Sequence, residues 1–254
     1  MAFLQCEIQS AALGKACALN VLVPQYFKEG VPGERREYKV LYLLHGLSDD
    51  HTMWMRRTSI ERYTSDLDVV VVMPNADRSF YTDMKHGLKY WTFISEELPG
   101  IVKQLFPVSP RREDTFVAGF SMGGYGALKL ALNRPDLFTA AGSMSSVTDI
   151  AVKFDDPLYT GWQFDEIFGS PEALAADGND LFASLKKAAA GTLKPRIIHI
   201  CGTEDYLYPE NIRMRDAFRA ADWPEYRYEE HPGAHSWAFW DQYILTILDF
   251  FFKK

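Results

Sequence analysis

The chain is poor in the features that mark several protein classes. Of its 254 residues only three are cysteine, Cys6, Cys17 and Cys201, and no two form a C-x-x-C pair. That argues against a disulfide-stapled framework or a cysteine zinc site, and buried, reduced thiols are expected instead. Positive charge is scarce: 27 Lys and Arg stand against 34 Asp and Glu, for a net charge of −7. Without a basic run the chain has little with which to displace counterions, so a nucleic acid is not an expected partner. No apolar stretch reaches the roughly 18 residues of a membrane-spanning helix. The opening MAFLQCEIQS has neither the basic start nor the apolar centre of a secretion signal. A cytoplasmic protein with no membrane partner is the expectation. Internal repeats and low-complexity tracts are lacking as well.

Hydrophobic residues make up 47% of the chain, enough for a substantial core, and the length suits one α/β domain spanning residues 1–254. Cys17, Leu19, Val21 and Val23 alternate as in an early strand, followed by a Pro/Gly/charged loop over 24–36. The runs KVLYLLH (39–45), DVVVVMP (68–74), DTFVAGF (114–120), FTAAGSM (138–144) and PRIIHIC (195–201) are apolar throughout. Such runs suit a parallel sheet covered on both faces. Helical patterns over 52–65, 90–106, 122–134, 209–221 and the tail alternate with them, the second predicted to kink at Pro99. In the tail, Ile244, Ile247, Leu248 and Phe251 share one stripe, with Phe250 and Phe252 off it. This alternation predicts a doubly wound, mostly parallel sheet. Residues 145–194 carry no strong strand signal and read as a partly helical, cap-like insertion.

VAGFSMGGYG lies where a strand run gives way to a helical pattern. It is not a phosphate loop, because Tyr125 stands where that motif needs lysine. The G-x-G-x-x-G dinucleotide spacing fails too. Gly119-Phe120-Ser121-Met122-Gly123 does match G-x-S-x-G, the strand–turn–helix that presents a nucleophilic serine. A serine hydroxyl needs a base. Of six histidines, only His231, which ends the strand-like EYRYEEH, and His235, in the loop after it, follow a strand with an acid upstream in the order Ser, acid, His. His235 is the better placed, deeper in the loop HPGAHSW. Asp205, in ICGTEDYLYP after a strand, is the expected orienting acid, with Glu204 its neighbour and rival. The oxyanion donors expected are the N–H groups of Met122, after the nucleophile, and Leu47, in the loop after KVLYLLH. His45 is then a structural brace.

With these residues in place the sequence resembles the esterase D-like serine esterases of the α/β-hydrolase fold, most closely their tributyrin-esterase branch. That branch is related to feruloyl and acetylxylan esterases and to S-formylglutathione hydrolases. The matching stretches include VLYLLHGLSDDHTMWMRRTSIERY, VVVMPNADRSFYTDM, FVAGFSMGGYGALKLAL, CGTEDYLYPEN and GAHSWAFWDQ. The resemblance implies a serine carboxylesterase without metal or cofactor, with Ser121, Asp205 and His235 as triad and Leu47 and Met122 as oxyanion donors. It permits homo-oligomers. The S-formylglutathione branch usually carries a Gly-Leu-Thr-Cys loop where this chain has Gly46-Leu47-Ser48-Asp49, which disfavours glutathione thioesters. Small acyl esters are the expected substrates. Tyr81, Trp91 and Trp162 are the candidate pocket residues, with Tyr90 and Trp237 considered beside them. Acyl transfer by the same triad is one alternative, and a non-catalytic binding protein on this fold is another.

Overall fold

The computed structural model describes residues 1–28, 31–32 and 36–253. Its strands are β1 (Ala2–Ser10), β2 (Lys15–Val23), β3 (Phe27–Lys28), β4 (Val31–Pro32), β5 (Lys39–Leu44), β6 (Val69–Pro74), β7 (Thr115–Phe120), β8 (Ala140–Met144), β9 (Arg196–Gly202) and β10 (Tyr226–His231). Eight of them form one sheet in the order β1-β2-β6-β5-β7-β8-β9-β10. The β1–β2 and β2–β6 pairings are antiparallel and the remaining five parallel. This is the mostly parallel α/β-hydrolase sheet. β3 and β4 pair as a small ribbon in the expected 24–36 loop, of which residues 29–30 and 33–35 lie outside the described residues.

The apolar runs are explained by burial on both faces. Val40, Tyr42, Leu44, Val70 and Val72 point into one core, and Leu41, Leu43, Val69, Val71 and Met73 into the other. β1 has no such run. It is an edge strand whose outer residues, Phe3 and Leu4 among them, face solvent, and its weak pattern escaped the sequence reading.

The helices follow as α1 (Met53–Arg57), α2 (Ile60–Thr64), α3 (Tyr90–Thr92), α4 (Leu98–Leu105), α5 (Met122–Asn133), α6 (Phe164–Phe168), α7 (Ala173–Ala176), α8 (Leu181–Ala189), α9 (Tyr208–Ala220) and α10 (Trp237–Phe252). Two differ from expectation. The 52–65 helix is split, because Thr58 is extended: its Oγ1 donates to Trp54 O, closing α1, and accepts from Ile60 N–H, opening α2. The 90–106 helix has a π turn at Phe93–Glu97 just before Pro99. Proline has no N–H for the carbonyl of Ser95, four residues back, and Arg134 Nη1 donates to that oxygen instead at 2.6 Å.

α10 lies so close to the sheet that a Cβ on Gly142 would sit 2.5 Å from Ile247 Cγ2. Its Ile244, Ile247, Leu248 and Phe251 are buried as the stripe predicts. Phe250 and Phe252 pack at its margin, the latter against Phe116. Segment 145–194 carries two 3₁₀ turns and the helices α6, α7 and α8. The buried ion pair Lys153 Nζ–Glu210 Oε2, at 2.7 Å, ties it to α9. Burial pushes the Glu210 carboxyl up to about 7 against the pull of Lys153. Among the described residues no helix is long and apolar enough to cross a membrane. Cys17 and Cys201 are buried free thiols and Cys6 is a half-buried one.

Candidate active site

Ser121 sits at the sharp step from β7 into α5, with φ 53° and ψ −121°. A side chain in that left-handed region is strained, and the surroundings enforce it. The flanking glycines explain how. A Cβ on Gly119 would lie 2.5 Å from the Gly123 carbonyl, and one on Gly123 would lie 2.5 Å from Leu44 O and 2.7 Å from His45 O. The first turn of α5 thus rests on its own strand and on the end of β5. Ser121 N–H donates to Met144 O at 2.9 Å, tying the elbow to β8.

Three side chains from distant segments meet here. His235 Nε2 is 3.1 Å from Ser121 Oγ. Its Nδ1 is 2.9 Å from Asp205 Oδ2 and 3.1 Å from Oδ1. Asp205 follows β9 in a turn, and its Oδ1 also accepts from Leu207 N–H at 2.9 Å. Burial pushes the Asp205 carboxyl up, but the hydrogen bond and charge of His235, with Leu207 N–H, bring it below the usual carboxylate value. Ser236 caps α10, accepting from Phe239 N–H at 3.4 Å, which fixes the residue after His235.

The rivals are occupied elsewhere. His231 stacks on Tyr243 with ring centroids 4.3 Å apart and contacts Glu229. His199 is buried between Tyr226 and Asn211. Glu204 accepts from Gly233 N–H and so latches the loop that carries His235. His45 Nε2 accepts from Ala76 N–H at 2.9 Å, so its proton lies on Nδ1 and is donated to Gly46 O at 2.7 Å. Burial pushes this imidazole down to about 4, which keeps it neutral at physiological pH.

Beside Ser121 Oγ opens a cavity of 410 Å³, whose lining includes Leu47, Asp49, Arg78, Trp162, Trp237 and Trp240. Of the candidate pocket residues, Trp162 lines it and Trp237 both lines it and packs on Trp54. Tyr81, Tyr90 and Trp91 do not line it. Tyr81 and Tyr90 are buried, and Trp91 lies over the Lys129 ammonium in a separate cleft. Arg78 also follows β6 and is exposed, but from Ser79 to Thr82 the chain is buried, taking Phe80 and Tyr81 into the core. Arg78 and Asp49 escaped the sequence reading. Their signal was position, in loops directly after strands at the sheet's carboxyl edge. Arg78 donates to Gly161 O at 3.0 Å, joining the loop after β6 to segment 145–194. Burial, with the like charge of Asp50, raises the Asp49 carboxyl despite Arg57 and His235.

The family model described as "Putative esterase" matches residues 10–251. The chain belongs to this esterase family. The esterase is 29% identical to an acetyl esterase of Caldicellulosiruptor saccharolyticus, over 100% of this chain and 99% of that one. It is 35% identical to FphF, a fluorophosphonate-binding serine hydrolase of Staphylococcus aureus, with a TM-score of 0.90 and 98% of each chain covered. A second structure from that organism, the S-formylglutathione hydrolase FrmB, is 35% identical with a TM-score of 0.87, again over 98% of each chain. The esterase is a carboxylic ester hydrolase of the serine type.

Proposed function

We propose that this esterase hydrolyses short-chain and other small acyl esters through an acyl-enzyme on Ser121. The observation that carries the reading is the unbroken line from Ser121 Oγ through the His235 ring to the Asp205 carboxylate. Ser121 Oγ attacks the ester carbonyl carbon, and its proton passes to His235 Nε2. The carbonyl oxygen becomes an oxyanion held by the N–H groups of Leu47 and Met122. Met122 begins α5, so the helix leaves its N–H without an internal acceptor. When the ester C–O bond breaks, His235 returns the proton to the leaving alcohol. Water then attacks the acyl carbon, gives its proton to the same nitrogen, and the acid departs as Ser121 regains its hydrogen. Asp205 keeps the imidazole in the reactive tautomer and stabilises its cation.

Aromatic walls from Trp162, Trp237, Trp240 and Phe120 around 410 Å³ suit a small acyl group. Residues 145–194 serve in this reading as the cap of a single hydrolase domain. The three free cysteines fit a reducing, cytoplasmic setting. The test is a rate panel of p-nitrophenyl acetate, butyrate and octanoate, methyl ferulate and S-formylglutathione, with wild type and Ser121→Ala. Acetate or butyrate turned over fastest by wild type alone is the expected result. Octanoate fastest would overturn the acyl preference, and an active Ser121→Ala the nucleophile. The likeness to FrmB favours a second reading, thioester hydrolysis, which a dominant S-formylglutathione rate would establish.

A further inference from the structure

Tyr81 lies away from the cavity, yet it is tied to both halves of the oxyanion machinery. Phe80 and Tyr81 both have φ 51°, a left-handed conformation costly for aromatic residues. Four contacts hold Tyr81 there. Its N–H donates to Ser79 Oγ at 3.1 Å. Its carbonyl accepts from Lys129 Nζ, on α5, at 3.1 Å. Its ring fills the place of a side chain on Gly126, where a Cβ would come 2.5 Å from Tyr81 Cδ2. Its hydroxyl donates to His45 O at 2.9 Å. Lys129 is itself buried, and its other bonds run to Thr82 Oγ1 at 2.8 Å and Asn179 Oδ1 at 2.7 Å. Among the described residues it has no carboxylate partner within ion-pair distance. Burial pushes this amine down to about 7, and its polar contacts go to backbone and loop oxygens.

The bond to His45 O bears on the donor loop directly. It fixes the peptide between His45 and Gly46. The next carbonyl, Gly46 O, accepts from His45 Nδ1–H at 2.7 Å and from Asp49 N–H at 3.2 Å. Two successive carbonyls are thus pinned. In a trans peptide the N–H points opposite to the C=O. With Gly46 O turned inward, Leu47 N–H faces the other way, and among the described residues it donates to no protein acceptor. The same tyrosine packs on α5, whose first N–H is that of Met122.

We propose that Tyr81 is a positioning residue that sets the oxyanion loop against the nucleophile helix, and that Lys129 anchors it from α5. The proposal rests on the reading of Leu47 and Met122 as oxyanion donors. It gives a purpose to the two left-handed residues and to a buried lysine that takes no part in the proton transfers.

The experiment compares Tyr81→Phe, Lys129→Met and the double variant with wild type. Each is measured for kcat and KM on p-nitrophenyl acetate, for inhibition by a boronic acid that mimics the tetrahedral intermediate, and for melting temperature. Tyr81→Phe keeps the ring and removes only the bond to His45 O. It is expected to lower kcat by about 10–100-fold, with KM within about twofold and boronate affinity falling alongside kcat. Lys129→Met is expected to move the same quantities, and the double variant to be little worse than the poorer single one. A folded Tyr81→Phe with wild-type kcat and boronate affinity but a lower melting temperature overturns the proposal and leaves Tyr81 a packing residue. Multiplying losses in the double variant would refute Lys129 as its anchor. Failure of the underlying reading is separate: it appears as a wild type that the boronic acid does not inhibit, or as turnover by Ser121→Ala, whatever Tyr81→Phe does.

Discussion

The replacement Asp205→Asn tests the proton logic of the site with almost no change of shape. Asp205 Oδ1 accepts from Leu207 N–H at 2.9 Å, and an asparagine oxygen can keep that bond. Its NH₂ then occupies the place of Oδ2, 2.9 Å from His235 Nδ1. Two donors cannot face each other there, so the ring must move its proton to Nε2. That nitrogen, 3.1 Å from Ser121 Oγ, can then no longer accept the serine proton. A wrong tautomer of this kind costs ~10⁴ in kcat, or about 5.4 kcal/mol at 1.36 kcal/mol per tenfold. The assay is steady-state hydrolysis of p-nitrophenyl acetate together with the rate of labelling by a fluorophosphonate. Both need the serine proton removed and should fall by similar factors, with the melting temperature nearly unchanged. Glu204→Gln is the control. Glu204 bonds Gly233 N–H rather than the imidazole, so a loss of less than about tenfold is expected, since only the loop's support is touched. A folded Asp205→Asn within tenfold of wild type, or a Glu204→Gln that is the worse of the two, would refute the assignment of the acid.

Stability should depend on pH through buried imidazoles. Burial pushes His45 and His199 each from 6.5 down to about 4. Between those values the unfolded chain binds protons that the folded one does not. The two histidines therefore raise stability with pH from 4 to 6.5, by roughly 3 kcal/mol each at most, while Glu210, pushed by burial from 4.5 up to about 7, works against one of them between 4.5 and 7, so a net rise remains. Urea midpoints at pH 4.5, 5.5 and 7 check this, and a constant midpoint would contradict it. At the elbow, Ser121→Gly and Ser121→Ala should both be inactive. The glycine variant should be the more stable by about 1 kcal/mol, because φ 53° suits glycine, and should melt about 2–4 °C higher. Equal melting points would mean that the elbow carries no strain. Gly123→Ala would place a methyl 2.5 Å from Leu44 O, against backbone that cannot yield cheaply. It should lose at least about 100-fold in kcat or fail to fold; wild-type turnover would show that the α5–β5 contact is not needed.

The order of strands and helices was legible because buried parallel strands are apolar on both faces, a purely local signature. The exceptions have local causes of another kind. β1 is an exposed edge with little alternation. The broken α1–α2 helix turns on one threonine hydroxyl that serves both ends, and the π turn on a carbonyl that only Arg134 reaches.

By itself the sequence determined the mount of the site. G-x-S-x-G demands glycines where backbones touch, and chain order put Asp205 and His235 in the loops after β9 and β10, at the sheet edge that Ser121 occupies. Which side chains face one another was decided only in three dimensions. Asp205 and Glu204 are adjacent in the chain, yet one meets the imidazole and the other the loop behind it. Tyr81 and Trp162 are both aromatic residues in loop segments, yet one is drawn into the core by Lys129 and His45 while the other lines the cavity. Local pattern records whether a residue is buried. Its partner depends on the packing of segments that lie 30 positions apart for Asp205 and His235 and 114 apart for Ser121 and His235, and no local pattern carries that information.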